Sequence, residues 1–319
     1  MTRDLLYDLS VELGLGRHDL SRIIGSAPKR YKVYQIPKRR GGSRTIAQPS
    51  RELKAIQRII LRDVLSKLPV HRAASGYVKG RNIADNARTH VNSKVVLKLD
   101  FQDFFPSIRV RDWERYARSS DIATDALELR LFSRILFWGR GTNEPRCLSI
   151  GAPTSPILSN ILLFDLDKRL FEAAKVCLVS YTRYADDITV SAGSIESVTK
   201  FEVMARSIVR RLPSPRLIFN DEKRGIFTKG QRRLVTGLVL TPTKNISIGR
   251  GRKRLISAML HRVMLDTSDV DSRAKLKGLL GFCIANEPSF IGRMRAKYGN
   301  ATIDSALSFE IPRRSSGLR

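Results

Sequence analysis

The chain has 319 residues and carries 58 Lys plus Arg against 30 Asp plus Glu, which gives a formal net charge of +28 at pH 7. Basic residues recur along its whole length, as is typical of a protein that binds nucleic acid. No apolar run is long enough to span a membrane, three cysteines are too few for a disulfide framework, and no histidines stand at metal-ligand spacing. Because the N-terminus also shows no signal-peptide pattern, we expect a cytoplasmic protein with no membrane partner.

Helical patterns open the chain. Apolar residues recur at helical spacing within residues 1–30, where Gly25 and Pro28 mark the end of this lead-in. Another helix is predicted from Ser50, a favourable N-cap, to Pro69, and its apolar stripe should face the core. Residues 86–90 end a further short helix, in which a histidine taken alone is more simply a structural residue than a ligand.

Two strands of a hairpin are predicted at residues 31–37 and 43–48. The residues between them, 38–42, combine basic side chains with a glycine pair, so the turn carries a basic tip. Such a tip suits phosphate contact, whereas a charged loop is also common on an ordinary solvated surface. The residues themselves leave both interpretations open.

Acidic residues accompany two strand-like segments. Residues 95–99 are rich in aliphatic side chains and run into Asp100, and a hairpin at residues 176–190 carries Asp186 and Asp187 at its tip. An Asp-Asp pair is a common turn, and an acid after a strand can simply end it. Sheet pairing could instead bring the three carboxylates together, and such a cluster of oxygen ligands would suit a two-metal site.

The second half of the chain alternates helices and strands before it becomes helical. We predict helices at residues 124–138, 157–170 and 194–213, and strands at residues 217–220, 225–227, 233–240 and 246–249. Residues 151–156 (GAPTSP) open the helix at 157 with small residues that let a ligand approach the backbone, although ordinary capping explains the prolines equally well. From Arg252 onward the pattern is basic and helical, and we expect a domain boundary at residues 241–251.

Taken in order, these segments resemble reverse transcriptases, and within them the bacterial retron type. Residues 184–187 (YADD) look like the catalytic hairpin of that family, residues 99–107 (LDFQDFFPS) like its first palm motif, and residues 151–156 like its nucleotide-template motif. Residues 86–90 (NARTH) and 235–238 (VTGL) are similar to the NAxxH and VTG elements of the retron type. The resemblance covers residues 31–240.

The resemblance implies an α+β fold, a right-hand polymerase with fingers, a palm of antiparallel sheet backed by helices, and a helical thumb. We therefore expect a helical lead-in at residues 1–30, fingers at 31–93, a palm at 94–242 with a fingers insertion at about 110–150, and a basic RNA-binding thumb and tail at 243–319.

The resemblance also implies an RNA-directed DNA polymerase that uses two metal ions. The catalytic residues and ligands of two Mg²⁺ ions, with Mn²⁺ able to substitute, would be Asp100, Asp186 and Asp187. The residues expected to bind the dNTP are Lys38, Arg44, Phe105, Gly151 and Lys223. Phe105 would exclude a ribonucleotide 2′-OH, and Lys223 would lie near the pyrophosphate. The residues expected to bind RNA are Asn86, His90, Val235, Thr236, Gly237, Arg252 and Arg254.

Two positions depart from the family pattern. Ile150 stands where the family has Gln just before the glycine of its nucleotide-template motif, and an apolar side chain cannot hydrogen-bond a ribose hydroxyl. Nucleotide affinity, sugar discrimination or fidelity should therefore differ from the family norm. Arg224 replaces the small polar residue that usually follows the lysine, and the sequence does not predict the effect of this change.

As a retron enzyme, the protein would start cDNA synthesis from the 2′-OH of a guanosine in its own structured noncoding RNA and make a branched RNA–DNA hybrid (msDNA). The implied partners are that RNA and its cDNA, dNTPs, and a separate effector protein in antiphage defence. Because no segment is left for an RNase H domain, we expect a host RNase H to remove the template.

Two other interpretations stay open. One is another bacterial reverse transcriptase, of the intron-encoded or abortive-infection type, against which the short length and the NAxxH and VTG elements argue. The other is a catalytically silent RNA-binding scaffold. The three intact carboxylates oppose this second interpretation, because a pure binding protein gains nothing from clustered, repelling acids.

Overall fold

The computed structural model describes residues 4–38, 41–120, 122–123 and 125–310. The helices, in chain order, are α1 (Leu5–Leu13), α2 (Arg17–Gly25), α3 (Arg51–Asp63), α4 (Ile83–Arg88), α5 (Phe104–Ser107), α6 (Val110–Ser119), α7 (Ala126–Leu136), α8 (Ser155–Leu162), α9 (Phe164–Val176), α10 (Ile195–Arg211), α11 (Arg250–Met264), α12 (Val270–Asn286), α13 (Pro288–Tyr298) and α14 (Asn300–Ser308). The strands are β1 (Tyr31–Pro37), β2 (Ser43–Pro49), β3 (Val95–Asp100), β4 (Ser180–Tyr184), β5 (Asp187–Ala192), β6 (Gly225–Phe227), β7 (Leu234–Val235), β8 (Leu238–Leu240) and β9 (Ile246–Ser247).

The strands of the described residues pair in three groups. Strands β1 and β2 form an antiparallel hairpin, four strands form a sheet in the order β4–β5–β3–β6, and three form a sheet in the order β7–β8–β9. Both β3 and β4 run antiparallel to β5. Helices combined with antiparallel sheet confirm the predicted α+β class.

By its internal contacts the chain divides into two compact units, Met1–Arg81 with Val95–Ile226, and Asn82–Lys94 with Phe227–Arg319. The first unit contains the four-stranded sheet, and the second contains α4, the three-stranded sheet and helices α11–α14. The division into lead-in, fingers, palm and thumb stays a prediction, because compactness alone does not identify those functional parts.

The core of the first unit lies between its sheet and the helices α9 and α10. Strand β3 buries an apolar side chain on each face, Val96 on one and Leu97 on the other, as expected for a strand covered on two sides. Helix α10 begins after Ser194, whose hydroxyl accepts a hydrogen bond from the Ser197 amide at 3.2 Å. Its apolar residues recur every three or four positions, so that one stripe faces the sheet.

Two helical predictions need correction. The single helix expected at residues 157–170 is two helices, α8 and α9, because the backbone turns at Leu163 (φ −97°, ψ 10°). Helix α9 then continues to Val176, so the hairpin strand expected from residue 176 begins only at Ser180. Packing of α9 against α10 outweighs the strand-like composition of residues 176–179.

Two strand predictions also need correction. Residues 217–220 form no regular strand, and Phe219 makes only an isolated antiparallel bridge to Phe101. The strand expected at residues 233–240 is divided into β7 and β8 by a turn at Thr236 and Gly237, where φ is 46° and 82°. The positive φ at both positions reverses the chain, so the two halves pair with each other.

The second unit is mainly helical from Arg250 to Ser308, as predicted, and α4 packs beside β7, β8 and β9. Its helices α11–α14 bury an apolar core that includes Leu260, Leu276 and Leu280. All three cysteines of the chain are buried free thiols. None of the described helices combines the length and the apolar character that a membrane span requires.

Two valines on α10 provide a matched test of this core. Replacing the fully buried Val198 with Ala should lower the free energy of unfolding by about 2 kcal/mol, since two methyl groups and their contacts are lost. The same substitution at Val203, which is 65% exposed, should change it by less than about 0.5 kcal/mol. Denaturant unfolding of both variants measures the difference, and equal losses would contradict the assigned orientation of the helix.

Candidate active site

Strand pairing brings two of the predicted catalytic acids directly together. In the antiparallel register of β3 and β5, Asp100 stands opposite Asp187. Asp186 belongs to the turn between β4 and β5, and its carbonyl accepts a hydrogen bond from the Phe101 amide at 3.2 Å. Ala185, at the same turn, has a positive φ of 56°. Sheet pairing thus brings Asp100 and Asp187 together and leaves Asp186 on the adjoining turn.

Two lysines contact the carboxylates. The ammonium of Lys98 donates to Asp187 Oδ2 at 2.5 Å and to Thr189 Oγ1 at 3.0 Å. The ammonium of Lys223 donates to Asp100 Oδ1 at 2.6 Å. Lys223 therefore contacts one of the acids, and its place near the pyrophosphate stays a prediction. Lys98 is a basic residue that the sequence did not single out.

The pKa values reflect the crowding of negative charge. Burial raises the pKa of both Asp100 and Asp187, and the neighbouring Asp186 carboxylate raises each further. Lys223 opposes the rise in the pKa of Asp100, and Lys98 opposes it at Asp187. Ionisation of Asp100 and Asp187 is therefore energetically unfavourable, and additional positive charge at the site would make it easier.

The carboxylates have the chemistry of a hard-cation site. Within the described structure, Asp187 Oδ1 is buried and lacks a hydrogen-bond partner. The lone pairs of this oxygen are therefore available to a ligand. Searching the same residues finds no group of three or more His, Cys, Asp or Glu side chains already arranged to hold a metal ion. Metal binding by Asp100, Asp186 and Asp187 therefore stays a prediction.

A buried ion pair supports the turn that carries Asp186. The Arg183 guanidinium donates to Asp167 through Nε at 2.8 Å and through Nη2 at 2.5 Å, and both side chains are fully buried. Arg183 Nη1 also donates to the carbonyl of Ala185 at 3.0 Å, and the Tyr181 hydroxyl donates to Asp167 at 2.7 Å. One arginine thus connects helix α9 to the turn between β4 and β5.

A second ion-pair group fixes the short 3₁₀ turn Asp221–Lys223. Glu202 of α10 accepts hydrogen bonds from Arg224 Nη2 and Arg206 Nη2 at 2.8 and 2.9 Å. Arg206 also donates to Asp221 at 2.6 Å. Arg224, whose role the sequence left unexplained, directly follows Lys223. Its ion pair with Glu202 therefore ties the end of this turn to helix α10.

The predicted phosphate-binding hairpin is exposed. Both Lys38 and Arg44 lie on the surface, and Arg44 pairs with Ile36 across the hairpin. The Lys38 amide donates to the Gly42 carbonyl at 3.0 Å, which closes the turn. The two arginines predicted at the tip, residues 39 and 40, lie outside the described residues.

Backbone contacts join the nucleotide-template motif to this hairpin. The Ala47 amide of β2 donates to the Ile150 carbonyl at 2.9 Å. Gly151 has a φ of 131°, and a Cβ there would stand 2.8 Å from the Ala47 carbonyl oxygen. Phe105 is half-buried beside Phe104, with ring centroids 5.2 Å apart. The roles of Gly151 and Phe105 in dNTP binding stay predictions.

Most residues predicted to bind RNA form one cluster in the second unit. The Thr236 hydroxyl donates to the Ile83 carbonyl at 2.9 Å, which ties the VTG turn to α4. Arg252 donates to the Gly237 carbonyl at 2.8 Å and lies over the ring of Phe282. The side chains of this cluster that are buried are Asn86, His90 and Val235.

Burial favours a structural role over direct RNA contact for those buried residues. The NAxxH and VTG elements then hold the turn and the helix together, whereas the Arg254 side chain is exposed. RNA binding by this group stays a prediction.

Some residues that shape the site gave only weak signals in the sequence. Asp167 stands among other charged residues, Asp165, Lys168 and Arg169, so the sequence does not mark it as a buried acid. Arg183 directly precedes the catalytic hairpin motif, but its partner lies on another element. The pairings of Lys98 and Glu202 depend on the sheet register and on α10 packing, so no local pattern could have revealed them.

Comparison with known proteins gives matches to one family. The family described as reverse transcriptase (RNA-dependent DNA polymerase) matches residues 36–249. Retron Ec83 reverse transcriptase from Escherichia coli is 36% identical over 304 residues, which cover 93% of this chain and 96% of that protein. Retron Ec86 reverse transcriptase from the same species is 31% identical over 310 residues, covering 94% and 92%.

Solved structures show a similar fold. Telomerase from Candida albicans, in complex with a fragment of telomeric RNA, aligns with a TM-score of 0.52 and 13% identity over 90% of this chain. Apo telomerase from Candida tropicalis aligns with a TM-score of 0.51 and 11% identity over 88% of the chain. The chain spans 60% and 62% of those two telomerases. At such identities the likeness concerns the fold alone.

The buried ion pair should be essential for stability. Replacing Arg183 with Met should lower the free energy of unfolding by about 3–5 kcal/mol, because the Asp167 carboxylate stays buried without its counter-charge. Adding Asp167→Asn should recover part of this loss. Denaturant unfolding tests both, with Arg17→Met as the control, since its exposed pair with Asp4 should contribute less than about 1 kcal/mol. A double variant as unstable as the single one would contradict the unpaired-charge explanation.

The Glu202 group should make stability depend on acidity. Burial by itself raises the pKa of Glu202, but hydrogen bonds from Arg224 and Arg206 outweigh it, so the pKa lies below its ordinary value of 4.5. Stability from this carboxylate is therefore present above about pH 4.5 and is lost as the pH falls through the lower folded value. Glu202→Gln should be less stable than the wild type at pH 7, and the difference should shrink below about pH 4.

Unfolding measured between pH 3 and pH 7 tests this behaviour. Glu196→Gln, on the exposed side of the same helix, should follow the wild type at every pH. A Glu202→Gln deficit that does not change with pH would contradict the proposed ionic contribution.

Proposed function

Because the chain belongs to the reverse transcriptase family, we propose that it is a retron reverse transcriptase that copies a cognate structured noncoding RNA into DNA. Family membership supports RNA-directed DNA polymerase activity. The observation that carries the proposal within the structure is the pairing of Asp100 with Asp187 beside the Asp186 turn. The retron assignment depends on relatives that align over most of both chains.

In this proposal the carboxylates serve nucleotidyl transfer. Asp100, Asp186 and Asp187 would hold two Mg²⁺ ions, or Mn²⁺, which activate the attacking hydroxyl and neutralise charge on the triphosphate. Lys98 would keep Asp187 oriented through its two hydrogen bonds. The Arg183 hydrogen bond to the Ala185 carbonyl would hold the Asp186 turn in place while substrates enter and leave.

The remaining predicted residues would bind the nucleotide. Lys38 and Arg44 would contact the triphosphate from the exposed hairpin, and Lys223 would donate a proton or a hydrogen bond to the departing pyrophosphate. The backbone at Gly151 would approach the nucleotide closely, and Phe105 would exclude the 2′-OH of a ribonucleotide. Ile150 would change sugar recognition relative to the family norm, because it offers no hydrogen bond.

The proposed biological reaction starts from the 2′-OH of a guanosine in the cognate RNA and yields a branched RNA–DNA hybrid. Its partners would be that RNA and its cDNA, a host RNase H and a separate effector protein in a cytoplasmic antiphage system. A different bacterial reverse transcriptase would use another primer, and a silent scaffold would hold RNA without making DNA.

Asp186→Asn tests the catalytic assignment. The variant should lower DNA synthesis by about a thousandfold or more, because one carboxylate of the cluster is neutralised, and should fold as the wild type does. The protein is expressed with its flanking DNA, and the extracted nucleic acid is separated on a denaturing gel with and without RNase. The wild type should give a small DNA band that shifts after RNase treatment.

Asp165→Asn is the matched control, since this acid is exposed on α9, and it should give the wild-type band. A normal band from Asp186→Asn would refute the assignment of this acid. If the wild type retains one structured RNA but makes no DNA, the scaffold interpretation replaces the polymerase. Synthesis of unbranched DNA only would favour another class of bacterial reverse transcriptase.

A further inference from the structure

Tyr77 has a backbone conformation that a bulky residue rarely adopts. Its φ is 61°, in the left-handed region, where glycine and asparagine are the usual residues. Such strain persists only where the surrounding structure imposes it, and it occurs most often at functional sites. Contacts around Tyr77 must therefore hold its backbone in this conformation.

The loop before Tyr77 is fixed to the turn that carries Asp186. The amide and hydroxyl of Ser75 both donate to the Arg183 carbonyl, at 2.8 and 3.1 Å. A Cβ on Gly76 would stand 3.0 Å from the Ala185 nitrogen and 3.2 Å from the Tyr184 ring, so only glycine fits there without a shift. The side-chain amide of Asn160 donates through Nδ2 to the Gly76 carbonyl at 2.8 Å. These contacts determine where Tyr77 stands.

The Tyr77 side chain is presented to solvent beside the catalytic residues. The residue is 46% exposed, and its ring lies 6.0 Å from the ring of Tyr184 at an angle of 42°. Burial of the phenol raises its pKa, Tyr184 and Asp186 raise it further, and Arg44 lowers it. The phenol is therefore neutral at pH 7, and it lies within electrostatic range of both Asp186 and the predicted triphosphate-binding Arg44.

A single exposed tyrosine is usually unremarkable, and Tyr7 illustrates that case. Tyr7 is 55% exposed on α1, and the Arg17 guanidinium covers its ring at 5.6 Å. Tyr77 differs because its backbone is strained, its loop is fixed to the catalytic turn, and a second aromatic ring supports it. This arrangement keeps nearly half of the Tyr77 surface accessible to solvent beside the predicted catalytic acids.

We propose that Tyr77, supported by Tyr184, is a stacking surface for a nucleobase next to the catalytic acids. This inference rests on the proposed polymerase function and adds a specific contact to it. Aromatic rings bind bases through their faces with little sequence preference, which suits an enzyme that must accept each base in turn. The base belongs either to the primer–template duplex or to the incoming nucleotide, and the two sources can be separated experimentally.

The binding experiment uses the full chain, an RNA template annealed to a DNA primer, and no metal ion. The duplex carries 2-aminopurine at the primer terminus or at the facing template position, so that stacking quenches its fluorescence. If the base belongs to the primer–template, Tyr77→Phe should bind the duplex within about twofold of the wild type, whereas Tyr77→Leu and Tyr77→Gly should bind it about tenfold more weakly and lose the quenching. Tyr7→Leu is the control and should leave both unchanged.

Thermal unfolding separates this role from a structural one. Tyr77→Gly removes the left-handed strain, so its Tm should equal or exceed that of the wild type while its binding is weaker. If Tyr77 only supported the loop, nucleic-acid binding and Tm would fall together in Tyr77→Gly, and Tyr77→Leu would restore both. That pattern would overturn the proposal.

Nucleotide kinetics identify the source of the base. Weaker duplex binding assigns it to the primer–template, whereas normal duplex binding with about a tenfold rise in KM for the dNTP assigns it to the incoming nucleotide. Wild-type values for both Tyr77→Leu and Tyr77→Gly in the two assays would refute the stacking surface.

The Asp186→Asn variant keeps both aromatic rings, so it should still bind the duplex and quench the fluorescence although it makes no DNA. If the wild type binds no duplex at all, the proposed function fails and this surface fails with it.

Discussion

The antiparallel register of β3 and β5 is the constraint on which the candidate active site depends. It sets Asp100 opposite Asp187 and, one pair further along, Leu99 opposite Ile188. Because side chains alternate between the two faces of a sheet, a shift of one residue would turn the acids away and expose the apolar pair. The buried aliphatic residues therefore determine where the carboxylates stand, although they take no part in the chemistry.

Gathering three carboxylates is unfavourable, and the two lysines that reduce this cost differ in freedom. Lys98 lies within the sheet, is 17% exposed, and is also held by Thr189. Lys223 lies on a short turn and is 47% exposed. Lys98 is therefore the more firmly held of the two. In the proposed reaction, an approaching phosphate would compete with Asp100 for Lys223, and Lys98 would stay with Asp187.

The sequence predicted elements well where one pattern dominates. The stripe of α10 and the hairpin around Asp186 follow from periodicity and composition, and both occur in the structure. Prediction from the sequence failed where tertiary packing overrides the local conformational preference of the residues. The break at Leu163 interrupts a continuous apolar run, so composition alone contains no indication of it.

The supporting contacts of the site were beyond a local analysis for a related reason. Arg224 has its partner on α10, and Tyr77 owes its positive φ to contacts with a turn more than a hundred residues later in the chain. A motif identifies the residues that perform chemistry, because their types are constrained. It does not identify the residues that hold them, since many pairs of residues can do so.

Ile150 shows how backbone and side-chain requirements can be separated at one position. Its carbonyl accepts the hydrogen bond from Ala47, and any residue could provide that acceptor. The following residue has no such latitude, because a Cβ on Gly151 would collide with the Ala47 carbonyl. Replacing the usual glutamine with isoleucine therefore removes a side-chain donor and acceptor while the motif stays joined to β2. In the proposed nucleotide site, the departure would change what the side chain can recognise, because the backbone contact to β2 does not depend on that side chain.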